Sequence, residues 1–338
     1  MRTALTLFVG TVLLTVANVS PAQRISQTPI DTRPVPLVDG VSPGEFIGAV
    51  RFLGMLALPS LAVGDLRFSE LSDLAWDDDE GVLYAISDKG TLFGLRPIFQ
   101  NEILTGLELL GSARLEEQHS GKPLRGRRTD SEGMDIRNGR NGRTGDTELV
   151  ISFERFPRIT GFRPDGRFLR EYPLPDALAD GRAYRGTNRM LEAVCLSRTH
   201  GYLTTPELPL RGERAGFSRL FSESGKTWLY PIEEPMRVAA IECLDDDHVL
   251  ILERDFGRVV GRTVVRIRRA KLAATPSSDT QASTETLISM NSAEGFQIDN
   301  FEGMTRHRGN RYFLISDDND LFIQRTLLLY LELPPPAH

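Results

Sequence analysis

The chain has 338 residues and a formal net charge of −6, with 40% hydrophobic and 25% charged residues. This is the balance of a soluble globular protein, long enough for one large all-β domain or two ordinary domains. So mild an acidity argues against nucleic acid as the main partner, because that usually needs a basic face.

At the start of the chain, Arg2 is followed by an apolar run from Ala4 to Val19 and then by the small residues of Ser20-Pro21-Ala22. Residues 1–22 read as a Sec-type signal peptide cleaved after Ala22. The run is short for a spanning helix, and no cysteine follows it to take a lipid. The expectation is a periplasmic or secreted monomer with no stable membrane anchor. Residues 23–43 read as a linker, 44–333 as a single domain and 334–338 as a tail.

Within that domain one pattern recurs five times. A carboxylate opens a short apolar run at Asp73, Glu132, Glu192, Glu242 and Glu302, spaced 59, 60, 50 and 60 residues apart. A second carboxylate closes the next run at Asp88, Glu154, Glu207, Glu253 and Asp317. Each interval divides into about four strand-like runs separated by Pro, Gly and Asp turns, as in Arg158–Phe162, the turn Arg163-Pro164-Asp165-Gly166 and Arg167–Tyr172. Four-stranded units repeated about an axis predict an all-β fold, a β-propeller. Five blades fit the count, and six is the alternative if Leu107–Leu115 belongs to an extra unit. The fifth repeat ends one strand short, so Phe46–Leu58 is expected to close the ring by pairing with the last blade.

Strand polarity then places the acids. The start of one antiparallel strand and the end of the next lie at the same end of a hairpin, so both sets are expected at one mouth of the channel. Carboxylates about 6 Å apart repel by roughly 2–3 kcal/mol per pair at an effective dielectric near 20. A cation, neighbouring basic side chains or protonation must offset this. Hard oxygen donors suit Ca²⁺, and on that reading Asp73, Glu132, Glu192, Glu242 and Glu302 are the ligands. Glu154, Glu253 and Asp317 are the candidates for water activation, and Lys89, Arg155, Arg158 and Arg254 for contact with a small anionic substrate such as a phosphoester. Equally open is a ring of Glu–Arg pairs that only braces the blades.

Other motifs lead elsewhere. There is no Gly-x-Ser-x-Gly elbow, and the five histidines are scattered without zinc spacing. Asp77–Glu80 and Asp245–Asp247 fall in turns away from the acidic ring, and Thr275–Thr286 reads as a Ser/Thr-rich insertion. Cys195 and Cys243 share a facing on adjacent repeats; buried free thiols are the favoured reading and a disulfide the alternative.

The segments Asp130-Ser131-Glu132-Gly133-Met134 and Asn300-Phe301-Glu302-Gly303-Met304 are followed by Ser152-Phe153-Glu154-Arg155-Phe156 and Ile315-Ser316-Asp317 respectively. Together they resemble the exported bacterial family described as "esterase-like activity of phytase", over about Gly44 to Leu333. The resemblance implies a propeller-like domain that hydrolyses phosphoesters or esters, with phytate suggested by the name. The Asp-Ala-Asp-Asp-Pro-Ala signature of alkaline calcium-dependent propeller phytases is absent. The sequence thus points first to a Ca²⁺-assisted phosphoester hydrolase. A Ca²⁺-dependent lactonase or carboxylesterase and a non-catalytic binding propeller are the alternatives.

Overall fold

A computed structural model describes residues 27–187, 189–255, 262–275, 279–320 and 324–336; the signal-peptide reading falls outside them. None of the described helices is long and apolar enough to cross a membrane. The chain forms five antiparallel blades around a central channel. From the inside outward, blade one comprises Leu71–Asp77, Val82–Ser87, Thr91–Gln100 and Ile103–Arg114. Blade two comprises Ser131–Arg137, Glu148–Phe153, Arg158–Phe162 and Phe168–Tyr172, and blade three Leu191–Ser197, Gly201–Pro206, Phe217–Ser222 and Thr227–Pro231. Blade four comprises Arg237–Cys243, His248–Asp255, Val264–Lys271 and Ser283–Asn291. The expected insertion at Thr275–Thr286 therefore runs into blade four's outer strand, where Arg269 pairs with Glu285.

Blade five takes Asn300–Arg306, Arg311–Asp317 and Thr326–Glu332 from the end of the chain and Val50–Leu58 from its beginning. Thr326 pairs with Leu58 and Glu332 with Arg51, so the ring closes as the sequence predicts. The six-blade alternative fails because Ile103–Arg114 is the outer strand of blade one. The segment read as a linker carries two short strands. Thr28–Pro29 lies on the outer edge of blade one and Arg33–Pro34 against Val50–Leu58, so the segment straps the closing seam.

The second strands show why these runs become strands. Leu149-Val150-Ile151-Ser152-Phe153 is buried throughout, as a mainly apolar run packed between neighbouring blades on both faces should be. Truncating one such Leu or Ile to Ala costs about 2–5 kcal/mol in packed cores.

The inner strands converge so tightly that they dictate sequence. A Cβ on Gly133 would lie 2.7 Å from the Cα of Ala193 in the next blade, and one on Gly303 only 2.5 Å from the Cα of Asp73. Only glycine allows this approach, which explains the repeated Glu-Gly-Met.

A second device stitches the blades together. Asp73 accepts the backbone N–H of Met134 in blade two at 2.7 Å and of Met304 in blade five at 3.0 Å. Asp135 accepts from Leu196 N in blade three at 2.6 Å, and Glu242 from Arg306 N in blade five at 3.1 Å. The strand registers give Asp135, Cys195 and Glu242 the same position in blades two, three and four. At the seam between blades three and four the link is covalent, a Cys195–Cys243 disulfide with a Cα–Cα distance of 5.5 Å. The favoured reading of two free thiols is therefore corrected. The disulfide occupies the place at which the neighbouring seams use a carboxylate on an amide, a charge-assisted bond of about 1.5–3 kcal/mol.

Candidate active site

Each inner strand carries a β-bulge near its start, and the bulged residue faces the channel mouth. The registers place Ser72, Glu132, Glu192, Ala239 and Glu302 at this position. Just past the second strands' equivalent ends come Asp88, Glu154, Glu207, Arg254 and Asp317. All of these but Ala239, with Asp130 and Asn300, line a cavity of about 500 Å³. It holds eight carboxylates against Arg155, Arg189 and Arg254.

Seven of the ten acids in the repeat pattern meet there, and three do not. Asp73 stands one residue beyond the bulge and is spent on the amides of Leu74, Met134 and Met304. Glu242 stands three residues beyond Ala239, further along the channel, against Arg306 N. Glu253 is fully buried on the opposite face of its strand from Arg254, where it accepts from Tyr230 Oη at 2.5 Å and Arg268 Nη1 at 3.1 Å. A shift of one residue exchanges the faces of a strand, so blade four presents Arg254 where the other blades present an acid.

The basic residues divide in the same way. Arg254 lies between Glu192 and Glu302, at 3.3 and 3.1 Å, and donates to Asn300 Oδ1 at 3.0 Å. Burial disfavours its charge, but Glu302 and Glu192 outweigh this and raise its pKa further, so it stays protonated. Arg155 lines the cavity with its Nε 2.6 Å from Asp130 Oδ2. Lys89 is exposed at the rim and paired with Glu70 at 2.8 Å and Asp88 at 3.0 Å. Arg158 lies outside the lining, with its guanidinium 3.6 Å from the centre of the Phe153 ring and donating to the carbonyls of Phe156 and Arg128. It joins two rim segments.

The sequence reading did not include Asp130 or Arg189 in the site. Asp130 sits one residue before the inner strand of blade two, at a position held by Glu70, Met190, Arg237 and Asn300 in the other blades. Its proximity to the Glu-Gly-Met motif was the available signal.

Burial makes charge costly here. It pushes Glu154 and Asp317 up to about 8, the latter helped by the charge of Glu302, and Asp88 up to about 6. Glu132 and Glu192 are also held well above the carboxylate range, by burial first and then by neighbouring acids. Carboxylate oxygens of Asp130, Glu132 and Glu154 lie within 4.8 Å of one another, as do those of Glu154, Glu192 and Glu207. Ionised pairs about 5 Å apart repel by roughly 3 kcal/mol at an effective dielectric near 20. Two further lining oxygens, Asp88 Oδ1 and Gln324 Oε1, are buried without a hydrogen-bond partner among the described residues. A cluster of hard oxygen donors suits a hard divalent cation.

A family model described as "Phytase-like: Esterase-like activity of phytase" matches residues 66–320. No curated protein matches the chain. Among solved structures, the chain is similar to XC5397 from Xanthomonas campestris, described as a gluconolactonase, with 13% identity over 92% of this chain and 98% of that one and a TM-score of 0.44. It is also similar to the β-propeller domain of Cps50 (Swd1) from Myceliophteria thermophila, with 8% identity over 91% and 100% and a TM-score of 0.38. YCF48 from Cyanidioschyzon merolae matches with 11% identity over 90% and 98% and a TM-score of 0.39.

Proposed function

The chain belongs to the phytase-like family described by esterase-like activity of phytase, and from that premise we propose an exported monomeric hydrolase of small phosphoesters. Its reaction takes place at the acidic mouth, with Ca²⁺ held there. The observation that carries the proposal is the pair of carboxylate clusters sharing Glu154. Export accords with the disulfide, which persists in oxidising compartments.

Asp130, Glu132, Glu154, Glu192 and Glu207 would hold the cation. Once bound, it would polarise a phosphoryl oxygen and make water more acidic. Arg254, fixed by Asn300 and flanked by two glutamates, offers positive charge to the phosphoryl oxygens as charge builds on them. Arg155 and Lys89 give the rim positive charge for the approach of an anion. On the far side of Arg254, burial and Glu302 keep a proton on Asp317 at neutral pH. Asp317 then donates to the leaving oxygen as its bond to phosphorus breaks. The attacking water forms the new bond to phosphorus and gives its proton to a free carboxylate of the mouth.

The test is metal analysis of protein purified without chelator, followed by hydrolysis of an aryl phosphate and an aryl ester side by side with and without Ca²⁺. Calcium-dependent release from the phosphate, lost in Glu132→Gln, supports the proposal. Turnover of the ester alone would assign the site to the carboxylesterase class. Turnover of neither, with no bound metal, would leave a binding propeller.

A further inference from the structure

We propose that the opposite mouth of the channel is a second binding site, for a small oxyanion. A cavity of about 630 Å³ opens there, larger than the acidic one. Its roof is Asn138–Asn141, the first part of the loop Asn138–Gly145 that lengthens the second repeat. The loop is held firmly. Asp79 accepts the amides of Asn141 and Gly142 at 2.7 and 3.1 Å, and Glu80 accepts that of Gly145 at 2.7 Å. Arg140 reaches from the loop to blade five and donates to the carbonyls of Arg306 and His307 at 2.8 and 2.7 Å. These bonds make the roof a built part of the fold.

Three of the arginines around this cavity have no carboxylate in contact. Arg140, Arg198 and Arg306 come from blades two, three and five, and among the described residues none of them forms an ion pair. Arg306 donates to the carbonyls of Gly309 and Leu244, and Arg198 stands exposed. The acids of the floor make their hydrogen bonds elsewhere. Asp135 is occupied by the amides of Ile136 and Leu196, and Glu242 by that of Arg306. Burial pushes Glu242 up to about 8, so it is largely uncharged at neutral pH. On the rim, Asp245 caps the amides of Asp247 and His248, and it and Asp246 line the cavity as exposed carboxylates.

Guanidiniums with no carboxylate in contact suit phosphate or carboxylate oxygens, which they bind through paired N–H donors. Three of them, from three blades around one roofed cavity, fit a small molecule bearing such a group. The proposal stands apart from the chemistry at the acidic mouth and does not depend on it.

The experiment is calorimetric titration of the metal-stripped full-length protein with inorganic phosphate and, separately, with malonate, which distinguishes a phosphate site from a carboxylate site. At least one of the two is expected to bind. Arg198→Gln, which removes a side chain with no structural partner, should weaken binding about tenfold, one charge-assisted contact's worth. Arg155→Gln at the acidic mouth should leave the affinity unchanged. Unaltered binding by Arg198→Gln, loss of binding in Arg155→Gln, or no binding of either anion by the wild-type protein would each overturn the proposal.

Discussion

The two mouths of this propeller are built from the same inner strands, a few residues apart, and both carry acids, yet their chemistry is opposite. At one mouth Glu132, Glu154 and Glu192 face one another with few donors and a shortage of positive charge. Towards the other, Asp135 and Glu242 are occupied by backbone amides of the next blade, and Arg140, Arg198 and Arg306 around them form no ion pair among the described residues. The difference lies in what each carboxylate can reach. One placed at a bulge points into the opening and meets other carboxylates. One placed one or three residues further along meets the N–H groups of a neighbouring strand and becomes part of the frame. Composition alone does not separate a site from a staple; register does.

The largest effect should come from exchanging matched residues of the two classes. Glu154→Gln should reduce calcium-dependent turnover on the order of a thousandfold, the scale of removing a central electrostatic group. Glu242→Gln should leave it within a few-fold while lowering the melting temperature. Equal losses in the two variants would erase the distinction between mouth and frame.

The disulfide tests the frame directly. Cys195→Ala with Cys243→Leu opens a 48-residue covalent loop and should cost about 4 kcal/mol on the chain-entropy estimate, or about 6 °C in melting temperature. Cys195→Asp with Cys243→Leu should regain about 1.5–3 kcal/mol of this by restoring a carboxylate-to-amide staple. If Asp at 195 proves no better than Ala, the equivalence of the seams is wrong.

A smaller cost is expected where inner strands touch. Gly133→Ala places a Cβ against Ala193 and Val194 and should destabilise by about 1–3 kcal/mol, the usual cost of overpacking. Circular dichroism melts of that variant beside Gly142→Ala, which meets no neighbour but has a φ of +77°, would separate crowding from backbone strain.

The gentlest perturbation is pH. Glu154 and Asp317 titrate near 8 when folded, against about 4 in an unfolded chain. Between those values the folded protein holds protons that the unfolded chain has lost. Stability of the metal-free protein should therefore fall as pH rises from about 4 to 8 and level off above that. Calcium competes with those protons, so its stabilising effect should be larger at pH 8 than at pH 5. Melting curves at both values, with and without calcium, check the sign; a flat or rising profile without metal would contradict it.

Much of the ring was legible from sequence because its causes are local. Alternation, turn residues and a strand short at the end place five blades and their closing strand, and Val50–Leu58 pairs where that reading puts it. Glu132, Glu192 and Glu302 were legible because their blades keep the same spacing to the bulge. Blade four was not. Its motif is displaced by three residues, so Glu242 stands in the pattern where Ala239 stands in space, and Glu253 where Arg254 does. One-dimensional spacing carries no information about bulges, and a shift of one residue turns a side chain to the other face. The Cys195–Cys243 pairing stayed the lesser alternative for the same reason: the pattern sets the two residues two positions apart, and the register only one.

The most direct measurement is calorimetric titration of metal-stripped protein with Ca²⁺ at pH 8, comparing wild type, Glu154→Gln and Glu242→Gln. The proposed site predicts binding by wild type and Glu242→Gln and its loss in Glu154→Gln. Absence of binding by the wild type, or equal binding by all three, would contradict it.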